Sequence, residues 1–234
     1  MGARGTGYWV DLAVPDDDEL SQIYQNRFNA EDRVGKDAIW QVLVREYFQG
    51  WVAENDVVVD VGCGFGEFLN HVKCGRRIGI DMNPDSAGAL ASGITFLQGS
   101  PGRLNELPEG GADVVFTSNF LEHLANKEEV TAVVQAAKRC LRPGGTLIAM
   151  GPNIRVVGGA YWDFWDHHVA ISDRSLVEVL EASGFEVVDC VPQFLPYTTR
   201  SPLPKRPWLV SWYLRLPLIW PVFGAQFLVR AQKR

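Results

Sequence analysis

Val58-Val59-Asp60-Val61-Gly62-Cys63-Gly64-Phe65-Gly66-Glu67-Phe68-Leu69 is the stretch on which the fold turns. Its β-branched start, reaching back to Asp56 and Val57, reads as a short strand buried on both faces. Glycine at three alternate positions closes the strand, and a helix is expected to open over residues 67–73. Such a turn lets the backbone come close to a ligand, and a helix start offers free N–H groups. A dinucleotide site would carry GxGxxG, but Glu67 stands three positions after Gly64. Asp60 beside the loop would repel a phosphate and suits a cationic ligand.

Outward from this stretch, strand-like runs recur at 77–81, 94–98, 112–117, 146–151, 185–191 and 226–231. Helical stretches at 67–73, 84–91, 127–141 and 173–183 separate most of them, which predicts βαβ units and a parallel sheet covered on both faces. The last run follows a long connection, so that rule leaves its direction open. Upstream, helices are expected at 16–27 and at 30–51. The second is expected to bury Val34, Ile39, Trp40, Val42, Leu43, Tyr47 and Phe48 on one face. With no repeat and no low-complexity linker, residues 1–234 read as one domain. It divides into a helical cap (1–52), a ligand-binding core (53–191), an insertion (192–223) and a last strand (224–234).

Apolar residues make up 47% and charged residues 21% of the 234, which excludes disordered and fibrous chains. The net charge of −6 hides an asymmetry. From Val191 onward there is no Asp or Glu, while Arg200, Lys205, Arg206, Arg215, Arg230, Lys233 and Arg234 are all basic. Four scattered cysteines (Cys63, Cys74, Cys140, Cys190) form no CxxC pair, which suits a reducing, cytoplasmic setting. No targeting leader is expected. The apolar run at 209–223 is broken by Arg215, Pro217 and Pro221 and is too short to span a bilayer.

The second strand ends in Gly79-Ile80-Asp81-Met82-Asn83. A carboxylate there, about 20 residues beyond the glycine loop, is placed to accept hydrogen bonds from ribose hydroxyls. The two features together suit a nucleoside whose other end is positive, and S-adenosylmethionine fits both halves.

Over nearly its whole length the sequence resembles the class I S-adenosylmethionine-dependent methyltransferases. Asp60-x-Gly62-x-Gly64-x-Gly66 is similar to their first motif and Asp81 to their ribose-binding acid. Ala112-Asp113-Val114-Val115-Phe116-Thr117-Ser118-Asn119-Phe120-Leu121-Glu122-His123-Leu124 resembles their fourth strand and the loop after it. Leu141-Arg142-Pro143-Gly144-Gly145-Thr146-Leu147 resembles the turn into the fifth. The resemblance implies a Rossmann-like, mostly parallel seven-stranded sheet with an antiparallel last strand and helices on both faces. It implies S-adenosylmethionine as methyl donor and in-line methyl transfer with no metal required. Asp60, Gly62, Cys63, Gly64, Gly66, Asp81, Met82, Ser100 and Asn119 would then hold the donor, with Cys63 a small filler. Many members end the third strand in an acid that meets the adenine amino group. Here Ser100 stands at that place, so Ser100 and backbone groups would take the adenine.

An oxygen acceptor must lose a proton to be methylated. The segment Tyr161-Trp162-Asp163-Phe164-Trp165-Asp166-His167-His168 follows the fifth strand, on the edge where such sheets carry ligands. His167 or His168, oriented by Asp163 or Asp166, could be the base. The alternatives are loop packing ahead of the helix near Asp173, and a metal site. No dispersed partner ligand accompanies those four side chains, so no metal is expected. His123 reads as a structural histidine or as a base, Glu122 likewise, and Tyr24, Asn26 and Arg27 as a lid over the acceptor or as an ordinary amphipathic helix.

In the basic tail, Trp208, Trp212, Tyr213 and Trp220 alternate with aliphatics. The pattern at 204–223 suits contact with an anionic membrane surface or a lipid-linked acceptor, packing on the chain's own sheet, or a homodimer face. Nucleic acid is not expected, because the acidic body would repel it. This tail and the 161–168 segment together resemble a bacterial subgroup associated with glycan and surface-polysaccharide assembly. The expected reaction is therefore O-methylation of a sugar or other small polar acceptor, lipid-linked or nucleotide-activated. The rival readings are N-methylation of a small molecule or natural-product scaffold, and a silent module that docks on membranes.

Overall fold

The computed structural model describes residues 30–197 and 206–234. The expected helix at 16–27, with Tyr24, Asn26 and Arg27, lies outside the described residues, as do Arg200 and Lys205. Seven strands form one sheet: β1 (Val57–Val61), β2 (Arg76–Asp81), β3 (Ile94–Gln98), β4 (Ala112–Ser118), β5 (Leu141–Pro152), β6 (Phe185–Val191) and β7 (Gln226–Lys233). Their spatial order is β3-β2-β1-β4-β5-β7-β6. β1 pairs in parallel with both β2 and β4. The chain thus steps outward to β3 and returns to the other side of β1, and ligands bind where such an order reverses, at the carboxyl ends of the strands. β7 runs antiparallel between β5 and β6.

The two-residue period of the strands divides the core. Val59, Val61, Val115, Leu147, Phe227 and Val229 meet helices α2 (Lys127–Cys140) and α3 (Asp173–Ala182) on one face. Val58, Val114, Phe116, Ile148 and Leu228 meet α1 (Ala30–Glu46), the turn at Phe48–Trp51 and the tail helix α4 (Pro207–Leu214) on the other. Asp60 alternates with Val59 and Val61 and so turns toward the second layer. Within that layer Val34 departs from expectation: it is 73% exposed, while Trp40, Val42, Leu43, Val44 and Phe48 are buried.

Local signals set the helix ends. The Asn126 side chain accepts from Glu129 N at 2.9 Å at the start of α2. Ser172 and Ser175 form a reciprocal capping box for α3. The helix expected at 67–73 is instead a series of turns, with isolated helical bonds such as Asn70 N to Gly66 O (2.8 Å) and Val72 N to Phe68 O (3.1 Å). Gly62, Gly64 and Gly66 all have positive φ (73°, 53° and 81°), and the Phe68 ring is drawn inward to stack on Phe116. Residues 84–91 supply only one helical turn, Ser86–Ala89, because Leu90 is already extended. β5 begins at Leu141, five residues earlier than its apolar pattern.

The tail folds back on the body. Tyr213 donates its hydroxyl to Phe194 O at 2.7 Å, and the Trp220 indole donates to Tyr213 O at 2.9 Å. Ser211 donates to the Glu46 carboxylate of α1 at 2.7 Å. Its other side stays in water: Trp208, Trp212, Leu216, Val222 and Phe223 are exposed, and Leu218 is 93% exposed. Among the described residues no helix is long and apolar enough to cross a membrane.

Candidate active site

The carboxyl ends of neighbouring strands bring together residues far apart in sequence. Asp60 is the penultimate residue of β1, Asp81 ends β2, Ser100 follows β3 and Asn119 follows β4. Asp81 Oδ2 accepts from Gly64 N at 2.7 Å and Oδ1 from Asn83 N at 2.8 Å, so the acid braces the glycine loop. Each oxygen keeps a lone pair for a further donor. Gly62 N and Cys63 N both donate to Ile80 O, at 2.9 and 3.1 Å. Gly64 N is thus already taken by Asp81, and no regular helix stands behind the loop.

Charge makes this edge selective. Asp60 is only 3% exposed. Burial pushes its carboxyl well above the usual range, and the nearby Glu67 and Asp81 push it further. Burial also raises Asp81, against the backbone donors that lower it. Three acids crowded in a partly dry site disfavour an anion and favour a cation. Lys36 of α1 pairs with Glu67 at 2.6 Å.

The remaining expected contacts differ in accessibility. Cys63 is buried with its sulfur against Gly79, where a Cβ would come within 2.8 Å. Burial pushes that thiol up, so it is a packing atom and no nucleophile. Met82 is half-buried, while Ser100 and Asn119 are exposed. Asn119 holds φ 50°, rare for a residue other than glycine, and its N–H donates to Met150 O at 2.8 Å. The Phe120 ring next to it covers Gly62 so closely that a Cβ there would overlap it.

One strand over, the loop after β5 folds onto the turn after β4. His168 N and Val169 N donate to Glu122 O at 2.9 and 3.1 Å. Tyr161 ties the loop: its hydroxyl donates to Val169 O at 2.6 Å and accepts from Ile171 N at 3.2 Å. Asp166 is drawn to His123, whose Nδ1 lies 2.9 Å from Asp166 O and 3.2 Å from Asp166 Oδ2. The structure thus brings Asp166 to His123, which the sequence left between a base and a structural histidine. His167 is buried among rings, with Phe164 and His123 centroids each 5.0 Å away and Tyr161 at 4.8 Å. His168 and Asp163 are exposed.

Glu122 completes the cluster at 2% exposure. Burial raises its carboxyl, against the charge of His123. Burial lowers the His123 imidazole, but hydrogen bonding to Asp166 and the charges of Glu122 and Asp166 leave it raised overall. A base poised by a carboxylate at a strand end, beside a site for a cation, is an arrangement suited to deprotonating an acceptor.

Residues 59–149, from β1 into β5, match the family model of the methyltransferase domain. Over this segment the chain is similar to that domain. Methyl transfer is the chemistry of that domain. No match was found among curated proteins. Among solved structures, the chain resembles an S-adenosylmethionine-dependent methyltransferase from Archaeoglobus fulgidus (18% identity, 91% of this chain and 99% of that one, TM-score 0.64). A second such enzyme, from Thermotoga maritima, matches at 17% identity over 91% of this chain and 99% of that chain, with TM-score 0.64. The cyclase SpnF matches as well, at 16% identity over 84% and 80% of the two chains, with TM-score 0.57. At these identities the likeness is one of fold, and the acceptor has to be argued from this chain's own residues.

Proposed function

We propose that this methyltransferase acts on a hydroxyl of a sugar or other small polar acceptor, presented at a membrane surface on a lipid carrier. The observation that carries the reading is the His123–Asp166 pair with buried Glu122 and His167, at the ends of the two strands beside the donor site. Methylation of a neutral amine needs no such base, whereas a hydroxyl must lose its proton.

The donor-site residues fit the group that the domain uses. When bound, S-adenosylmethionine supplies a methyl group on a positively charged sulfur. Asp81 would accept from the ribose hydroxyls with its spare lone pairs, and Asp60 with Glu67 would favour the positive end. Gly62, Gly64 and Gly66 keep the loop free of side chains, Ser100 and Met82 border the base, and Asn119 borders the acceptor side. His123, held by Asp166, would take the acceptor proton, with His167 beside it. Holding two reactants in attack geometry is the larger part of such catalysis.

Two surface features support the acceptor class. Trp162 and Trp165 are exposed on the loop that carries the cluster, Trp165 to 86%, and aromatic faces suit sugar rings. The outward side of the tail sets exposed Trp208, Trp212, Leu218 and Val222 beside the exposed Arg206 and Arg215, a composition suited to an anionic lipid surface. The test is transfer of a tritiated methyl group to a panel of polyprenyl-phosphate-linked saccharides, nucleotide sugars and small amines. Label in alkali-stable methyl ethers of the saccharides supports the reading; label on the amines alone overturns it.

A further inference from the structure

We infer that Glu122, His123 and His167 form a binding site for a divalent transition-metal ion, zinc by preference, with an open position toward the acceptor. The inference deepens the proposed function and rests on it only for the identity of the acceptor group; with an ion bound, His123 is a ligand, and the ion takes over from its imidazole the task of freeing the acceptor oxygen of its proton.

One potential ligand atom from each of the three residues lies within 4.8 Å of the other two. Tetrahedral ligands held about 2.1 Å from one ion lie about 3.4 Å apart, so the ligand atoms must draw together by up to about 1.4 Å to close the set. A carboxylate with two imidazoles is a donor set for zinc or iron and a poor one for magnesium or calcium. Three protein ligands with a free fourth position is the pattern of catalytic, as opposed to structural, zinc.

The surroundings of the cluster point the same way. A metal-binding histidine usually donates its second ring N–H to a carboxylate or a backbone carbonyl, which fixes tautomer and orientation. His123 Nδ1 meets both kinds of acceptor on one residue, Asp166, which leaves Nε2 for an ion. The Glu122 main chain is fixed by two N–H donors from the facing loop, and that loop is tied by Tyr161. A carboxylate at 2% exposure needs compensation for its charge, and an ion supplies it. From the sequence alone the histidines at 167 and 168 had no dispersed partner ligand; the fold supplies two from the turn after β4.

The open position would bind the acceptor hydroxyl and lower its pKa. Its proton leaves to solvent, and its oxygen forms the bond to the methyl carbon. The carbon–sulfur bond breaks with its electron pair passing to sulfur.

The experiment uses the full chain without a histidine tag, stripped with chelator and titrated calorimetrically with zinc chloride. In parallel, cobalt(II) is added and its visible d–d spectrum recorded. One zinc per chain and an intense tetrahedral cobalt band are expected. His167→Ala and the conservative Glu122→Gln should each weaken zinc binding by about 100-fold or more and erase the band. His71→Ala, on a half-buried histidine paired with Asp37 outside the cluster, should leave both intact. Absence of stoichiometric zinc binding and of the cobalt band in the wild-type chain overturns the inference whatever the variants do. Binding that survives both substitutions overturns it equally. Because neither readout uses an acceptor, an error in the proposed acceptor class leaves this result standing.

Discussion

Replacing Asp81 by asparagine (Asp81→Asn) separates two roles that the structure places on one carboxylate. In the free protein Asp81 accepts from Gly64 N at 2.7 Å and from Asn83 N at 2.8 Å. An amide offers one acceptor atom, so one of these N–H groups loses its partner, at a cost of about 1–3 kcal/mol. For a chain of this size that lowers Tm by roughly 2–4 °C per kcal/mol, about 2–12 °C in all. Donor binding should suffer separately. A ribose hydroxyl bonded to a charged group contributes about 1.5–3 kcal/mol, so affinity for S-adenosylmethionine should fall by about 10- to 150-fold. Thermal melts of the donor-free protein and calorimetric titration at a temperature where the variant is folded measure the two effects independently. A lowered Tm with donor affinity within about twofold of wild type would refute the assignment, leaving Asp81 as a brace of the glycine loop and nothing more.

Other expectations follow from the same geometry. Asp60→Asn should raise Tm of the donor-free protein at neutral pH by about 2–4 °C, roughly 1 kcal/mol, while weakening donor binding. The folded pKa of Asp60 is raised, so its ionisation costs stability as pH climbs from the ordinary carboxylate range through that raised value. The advantage of the variant should therefore vanish on acidification, and pH-dependent melts of both proteins check this. Gly62→Ala combines a φ of 73° with overlap on the Phe120 ring and should destabilise by about 2–4 kcal/mol in denaturant titration. His123→Ala should cut turnover by about 100-fold or more with donor affinity unchanged; an unaltered rate would return His123 to loop structure. Exchanging the exposed Trp208 and Trp212 together for serine should leave Tm within about 2 °C and abolish flotation with anionic phospholipid vesicles.

The parts of this fold legible in sequence are those whose signal is local. Buried strands announce themselves by β-branched runs, and Ile94–Gln98 and Phe185–Val191 begin and end where the pattern does. The glycine loop, Asp60 and Asp81 could be placed because a strand end and a turn need no distant partner to be recognised. Tertiary packing overrode local propensity after β1, where three glycines of positive φ and the stacking of Phe68 on Phe116 prevent a regular helix from forming. Val34 was misplaced because a helical stripe read from sequence does not reveal where the helix stops touching the body. The histidine pairing was hidden for a different reason. Asp163 and Asp166 lie next to His167 and His168 in sequence, but in a tight loop adjacent side chains diverge, and Asp166 finds His123 some 43 residues away. Glu122-His123 directly after β4 was the available signal; its weight came only from the loop that folds over it. The tail's apolar residues split between an inner side packed on α1 and an outer side left in water, which composition alone does not separate.

The most direct test of the account is a crystal structure of the full chain with S-adenosylhomocysteine, the demethylated donor. The ribose should rest on Asp81, and the sulfur should face the cluster of Glu122, His123 and His167 across a gap sized for a hydroxyl-bearing acceptor. A ligand bound away from Asp60 and Asp81, or a sulfur turned away from that cluster, would contradict it.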